Sequence, residues 1–205
     1  MISGAHADSF VESSGAGLSL TVRKAVMHDI PAILALINGY AARGIMLPRT
    51  EFEVSEAIRD FTVVLRGDEF LGCGALHFYS PTIGEIRSLA VHEHAKTHGV
   101  GRRVVEALVA EAQEYELDAV FAFTYVAEFF NKVRFDVVER GVLPLKAWKD
   151  CVRCPKFQAC DEIAVLRVLR PERWHDSQPH QWPADEFIQI PTPRVSAFPS
   201  VFPPK

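Results

Sequence analysis

Leu20 to Val26 alternates apolar with polar side chains, the period of a strand buried on one face. It leads into Asp29-Ile30-Pro31 and then Ile33, Leu34, Ile37 and Tyr40 at helical spacing, with Asp29 as the expected N-cap and a proline in the first turn. A short helix around Glu53 to Ile58 is followed by two apolar runs, Phe61 to Leu65 and Phe70 to Phe78, joined through a tight Arg66-Gly67-Asp68 turn. That pairing predicts a β-hairpin. Glu85 to Val91 reads as a further strand, Val100 to Tyr115 as an amphipathic helix (Val104, Val105, Leu108, Ala112, Tyr115), and Ala119 to Thr124 as a fully apolar strand. Ala127 to Lys132 predicts one more short helix, with strands near Phe135 to Val138 and Glu162 to Leu169. The order βααβββαβαββ mixes hairpins with one strand–helix–strand crossover. It predicts an α+β fold, α/β-like in its three layers, with a mostly antiparallel sheet and a parallel pair at its centre.

Outside this pattern, residues 1–19 are rich in Gly, Ala and Ser and predict a flexible leader. Eight of the thirteen prolines lie beyond Arg170, so regular structure is expected to end there and residues 171–205 to form an aromatic, proline-rich extension over the domain or a partner subunit. A chain of 205 residues with 48% hydrophobic and 23% charged residues suits one globular domain, here 20–170, and excludes wholesale disorder. The net charge of −4 gives no broad basic field, so no nucleic-acid partner is expected and any bound anion must be held locally. The longest stretch free of Asp, Glu, Lys and Arg is Phe70 to Gly84, interrupted by glycines and a proline, so no membrane span is expected. The start lacks a secretory pattern, which makes the cytoplasm the expected compartment. Four cysteines are too few for a disulfide scaffold.

The chemistry concentrates between Glu85 and Ala112. Lys96-x-x-Gly99-x-Gly101 stands between a strand and a long helix, with Thr97, His98, Val100 and Arg102 filling the turn. Glycines there admit a phosphate close to the backbone, and the N–H groups of a helix start supply donors at a positive dipole end. An isolated Gly-x-Gly more often only starts a helix, but Lys96, His98, Arg102 and Arg103 add local positive charge to an acidic chain. Strict alternation puts Glu85, Arg87, Leu89 and Val91 on one strand face and Ile86, Ser88 and Ala90 on the other. Glu85 and Arg87 then point together, and a surface ion pair between them is one reading of the carboxylate.

This segment resembles the GNAT superfamily of acyl-CoA-dependent N-acetyltransferases, whose signature is Gln/Arg-x-x-Gly-x-Gly/Ala, with Lys96 in the first place. The resemblance covers residues 20–170 and implies the GNAT fold, with two central strands splayed around acetyl-CoA. It implies that the backbone of Leu89 and Val91 flanks the pantetheine arm and that Lys96, Thr97, His98, Gly99, Val100, Gly101 and Arg102 hold the diphosphate. It also implies that Glu85 is the general base. Phe129-Phe130 replaces the usual Phe-Tyr, so Tyr125 becomes the substitute acid, and Arg134 replaces the glycine of a Lys-x-Gly-Phe ending.

Met46-Leu47-Pro48-Arg49, Phe123 to Phe130 and Leu145 to Pro155 are similar to the short, stand-alone N-acetylglutamate synthases. That likeness implies acetylation of the α-amine of L-glutamate, the entry to arginine synthesis, in a homodimer. Of the cations Arg49, Arg87, Lys132 and Lys146, a dianionic acceptor would take Arg49 and Arg87 first, with Lys146 behind them. Cys151-x-x-Cys154, followed by Cys160, has the first spacing of a zinc knuckle, with Asp161, Cys73 or a histidine as fourth ligand, or else forms ordinary packed thiols. Another small amine or a protein lysine as acceptor, and a non-catalytic acyl-CoA or amino-acid sensor, are the alternative functions.

Overall fold

The computed structural model of the protein describes residues 19–139, 143 and 160–174. β1 (Leu20–Lys24) runs antiparallel to β2 (Phe61–Arg66), which returns through Gly67-Asp68 into β3 (Glu69–Phe78). Gly67 takes the left-handed φ of 58° that this two-residue turn demands. Between β1 and β2 lie α1 (Ile30–Ala41) and α2 (Glu51–Glu56). α2 starts on a reciprocal cap: Thr50 Oγ1 accepts the Glu53 amide and the Glu53 carboxylate accepts the Thr50 amide. β4 (Ile83–Val91) pairs antiparallel with β3, then α3 (Val100–Glu114) crosses over to β5 (Ala119–Thr124), which is parallel to β4. α4 (Ala127–Lys132), β6 (Asp136–Val137), β7 (Ile163–Val168) and α5 (Pro171–Trp174) complete the order, with β7 inserted between β5 and β6. The element sequence up to β7 is the one the hydrophobic pattern predicts, and the three layers follow from it.

Each sheet face is buried under its own helices. Val100, Val104, Val105 and Leu108 of α3 pack with Val64, Leu71, Leu76 and Ile86, and Phe130 and Phe135 join them. On the opposite face Ile33 and Ile37 of α1 meet Val54, Phe61, Val63, Cys73 and Ala90. Regular structure runs past Arg170: the Trp174 ring of α5 is buried against Ile83, Phe121 and Leu166, and Arg173 pairs with the fully buried Asp118 at 3.2 Å. The described structure thus ends on a short helix just past the expected boundary, held to the domain by its indole ring.

Asp29 also departs from expectation. Its backbone is already helical (φ −81°), continuing a 3₁₀ turn at Met27–Asp29, and its side chain does not cap α1. The buried carboxylate instead accepts two hydrogen bonds from Arg23, at 2.7 and 2.9 Å, and the Val26 amide at 2.8 Å. The Arg23 guanidinium, helped by that amide, holds the Asp29 carboxyl below the usual range.

The feature that shapes the site is a bulge in β4. Cys73 pairs with Ala90 but Ala75 pairs with Arg87, so Ser88 and Leu89 together oppose Gly74, and Ser88 has φ 53°. Gly74 has to be bare, because a Cβ there would lie 2.7 Å from Val104 and 3.2 Å from Leu108. One extra residue reverses the alternation beyond it. Glu85, Arg87 and Ala90 therefore face α1 and α2, whereas Ile86, Leu89 and Val91 face α3. The expectation that Leu89 and Val91 share a face with Glu85 and Arg87 is corrected accordingly.

Candidate active site

β4 and β5 pair only from Ile83 to Glu85 and from Ala119 to Phe121, although β4 runs on to Val91 and β5 to Thr124. The strands part there, and Glu85 stands at the parting, 6% exposed. Arg87, two residues along the same face, lines a small cleft with Arg49, Glu53, Val54, Ala57, Phe61 and Ser88. The two arginines singled out in the sequence thus line one cleft, on the strand face that Arg87 shares with Glu85. Arg49 is fixed there by a residue the hydrophobic pattern did not single out. Asn38 of α1 accepts the Arg49 amide at 2.8 Å and donates to its carbonyl at 2.9 Å. The available signal was an asparagine inside a helix, a poor place for it unless its amide is used. Lys146 lies outside the described residues.

The open end of the wedge carries the helix start. A 3₁₀ turn at Glu93–His98 ends on Gly99 at φ 73°, where an added side-chain carbon would meet nothing within 4 Å, and α3 begins. The amides of Val100, Gly101 and Arg102 belong to the first turn and have no acceptor within the helix. Gly101 is pressed between the two strands' continuations: a Cβ there would be 3.2 Å from Phe129 of α4 and 3.6 Å from Val91 of β4. Donors therefore face the mouth of the wedge at the positive end of a 15-residue helix, a place suited to a diphosphate. Thr97, His98, Arg102 and Arg103 surround that helix start.

Lys96 is turned toward a different set of partners. Its ammonium pairs with Glu93 at 2.9 Å and lies 5.2 Å from the centre of the Tyr40 ring. Glu93 raises the Lys96 pKa, while Lys96 and Arg43 lower that of Glu93. Tyr40, which the sequence pattern marked only as an apolar position of α1, donates its hydroxyl to the Val91 carbonyl at 2.6 Å. A tyrosine on a helix face that packs against a core needs such a partner, and this one ties α1 to the end of β4.

Comparison with known proteins agrees with this geometry. The sequence profile of the Acetyltransferase (GNAT) family matches residues 39–135. An uncharacterized N-acetyltransferase of Chlorobaculum tepidum is 41% identical over 148 residues, which are 72% of this chain and 96% of that protein. The chain belongs to the GNAT acetyltransferase family. An amino-acid acetyltransferase of Mycobacterium tuberculosis is 36% identical over 121 residues, 58% of this chain and 69% of that one. Among solved structures, Rv2747 of M. tuberculosis in complex with CoA and NLQ has a TM-score of 0.63 at 30% identity, covering 72% of this chain and 98% of its own. The N-acetylglutamate synthase of Neisseria gonorrhoeae, complexed with coenzyme A and N-acetyl-glutamate, has a TM-score of 0.66 at 27% identity; the match covers 74% of this chain and 35% of that enzyme. The protein is a GNAT-type acyltransferase related to amino-acid acetyltransferases.

Where this GNAT enzyme departs from the family signature, the structure gives reasons. Phe130, in the place of the usual tyrosine, is 3% exposed, with its ring 5.2 Å from Phe135 and 5.3 Å from Phe129, so a hydroxyl there would sit in the core. Tyr125 is exposed just beyond β5 and donates to Asp161 at 2.8 Å. Arg134 has φ 68°. Its amide bonds to the Asn131 carbonyl and the next amide, that of Phe135, to the Phe130 carbonyl, with the two rings in contact. This is the closing turn that glycine normally makes, completed by an arginine.

The zinc expectation finds no support among the described residues, where no group of three His, Cys, Asp or Glu side chains is placed to hold a metal. Cys73 is enclosed beneath α1, and burial pushes its thiol up to about 12, the opposite of a ligand's tendency. Cys160 lies 3.8 Å from a Glu162 oxygen, and Asp161 is engaged by Tyr125. Cys151 and Cys154 lie outside the described residues. Among the described residues no helix is long and apolar enough to cross a membrane.

Proposed function

We propose that the protein transfers the acetyl group of acetyl-CoA to the α-amine of L-glutamate by direct attack within a ternary complex. The observation that carries this reading is the cleft lined by both Arg49 and Arg87, on the face of β4 that also carries Glu85 where β4 and β5 part. Acetyl-CoA supplies an acetyl group already activated as a thioester. The amides of Gly99, Val100, Gly101 and Arg102 bind its diphosphate, with Thr97 and His98 at the rim and Lys96 acting from its pair with Glu93. The backbone of Leu89 and Val91 flanks the pantetheine arm, and Tyr40 steadies that stretch through the Val91 carbonyl.

An amino acid's ammonium cannot attack until it loses a proton. Glu85, acting through water, takes that proton. Arg49 and Arg87, with Lys146 behind them, hold the acceptor's carboxylates through planar forks suited to them. A thiolate whose ordinary pKa is about 8.5 leaves with little assistance. Tyr125 is the candidate acid for it. The activities of the named relatives support an amino acid as acceptor, and a dianionic one such as glutamate suits a cleft lined by two arginines. In this reading the enzyme serves arginine synthesis in the cytoplasm, works as a homodimer, and comprises a domain over 20–170 between a leader and an extension.

The test is thiol release from acetyl-CoA in the presence of each of the twenty amino acids. Glutamate is expected to give the fastest release. Blank-level release with glutamate and turnover with another amine would replace the acceptor, and coenzyme binding without turnover by any amine, protein lysine included, would make the protein a sensor.

A further inference from the structure

A base as enclosed as Glu85, 6% exposed, has to pass its proton on before the next turnover. The residue paired directly with it on β3 is His77. Directly opposed residues of an antiparallel pair point to the same face with their first side-chain carbons about 4.5–5.5 Å apart. An imidazole and a carboxylate on such stems lie within the span of one bridging water, the ring's own hydrogen bond going to Asp60. The His77 side chain is 40% exposed, so the ring connects the enclosed side of the strand with solvent. Its Nδ1 lies 3.3 Å from Oδ2 of Asp60, in the 3₁₀ turn Ile58–Asp60 that precedes β2. A carboxylate at Nδ1 favours the tautomer protonated there and leaves Nε2 as the acceptor.

We propose that His77 relays the acceptor's proton from Glu85 to solvent, with Asp60 setting its tautomer; this rests on the reading of Glu85 as base. The balance is simple. The ammonium loses one proton to Glu85, Glu85 loses it to Nε2 of neutral His77, and the imidazolium releases a proton to bulk water. The amine then attacks the thioester carbon, the C–S bond breaks, and the second nitrogen proton ends on the departing thiolate. Among the described residues, Asp60 faces His77 from the turn and Glu85 from β4. Beyond Asp60, and within its electrostatic reach, Glu111 of α3 is bound by Lys24 at 2.8 Å. An imidazole can accept a proton at one ring nitrogen and release one from the other, which suits it to take a proton from a carboxylate and hand it to water.

The test compares H77N, D60N and E85Q with the wild type, using acetyl-CoA and whichever amino acid turns over fastest. Turnover is followed from pH 6 to 9 at low and high buffer concentration, and with added imidazole. Melting temperature and coenzyme A affinity serve as controls for folding. H77N is expected to lower kcat about tenfold or more, to keep its affinity for coenzyme A, and to recover with imidazole or concentrated buffer, to which the wild type is indifferent. D60N is expected to show a smaller loss, a displaced pH profile and the same recovery. A fully active H77N, or an impaired one that neither buffer nor imidazole restores, overturns the relay while an inactive E85Q still upholds the base. An E85Q enzyme at the wild-type rate removes the base and the relay with it. Should H77N fail to fold, the buffer response of D60N decides, and indifference to buffer overturns the relay.

Discussion

Arg134 holds a left-handed backbone in a turn whose two closing hydrogen bonds and aromatic contact are all in place. A side chain there costs roughly 1 kcal/mol or more that glycine avoids. Its charge also acts unfavourably on the half-buried Arg167 guanidinium. R134G is therefore expected to stabilise the protein by roughly 1 kcal/mol, raising Tm by about 2–4 °C in a thermal melt. A lower Tm would show that the arginine has bonds worth more than the strain. Asp29 makes an opposite case. Because Arg23 depresses its carboxyl below the unfolded value of about 3.8, its contribution is complete above that pH and is lost as pH falls through the folded value. D29N should cost about 1–2 kcal/mol at pH 7, read from urea midpoints, and the gap to wild type should close below pH 4. A gap independent of pH would separate Asp29 from its charge.

At the scale of elements, the wedge depends on two short irregularities, the bulge at Ser88 and the left-handed Gly99. Gly99 has open space around it, so substitution there acts through φ rather than through a clash. G99V should rotate the first amides of α3 and weaken coenzyme A binding at least tenfold by calorimetry, with little change in Tm. An unaltered affinity would detach those amides from the diphosphate. The elements themselves were legible, because periods of two and 3.6 survive wherever one face is buried; the hairpin, α3 and the apolar β5 all stand where the pattern puts them. The bulge was not. It leaves no trace in composition beyond Gly74 on the facing strand, and it reverses the face of Leu89 and Val91 while Glu85 and Arg87, which precede it, keep theirs. The reach of Asn38 to Arg49 and of Tyr40 to Val91 was equally hidden, since contacts 11 and 51 residues apart obey no local period.

Across the whole molecule, the sheet is closed at its far side by α5, whose Trp174 is 7% exposed in a cluster with Ile83 and Phe121, the neighbours of Glu85 in its own strand and across the pair. W174A should cost about 3 kcal/mol in denaturant unfolding, and because the cluster backs the parting of β4 and β5, it should lower turnover more than the stability of the remaining folded fraction explains. Full specific activity in that fraction would show α5 to be a clasp only. Glu85 and Arg87 were legible in the sequence as neighbours on one face of one strand, whereas Arg49 stood on a separate segment; its place beside Arg87 is a property of the tertiary fold, in which β1 and α1 bring the Met46–Arg49 segment over β4. The most direct measurement of the central claim is a crystal structure of the protein with coenzyme A. Density for the diphosphate on the amides of Gly99 to Arg102, with the sulfur between β4 and β5 and no more than one water from Glu85, is the expected result. A nucleotide bound anywhere else, or a sulfur remote from Glu85, would contradict it.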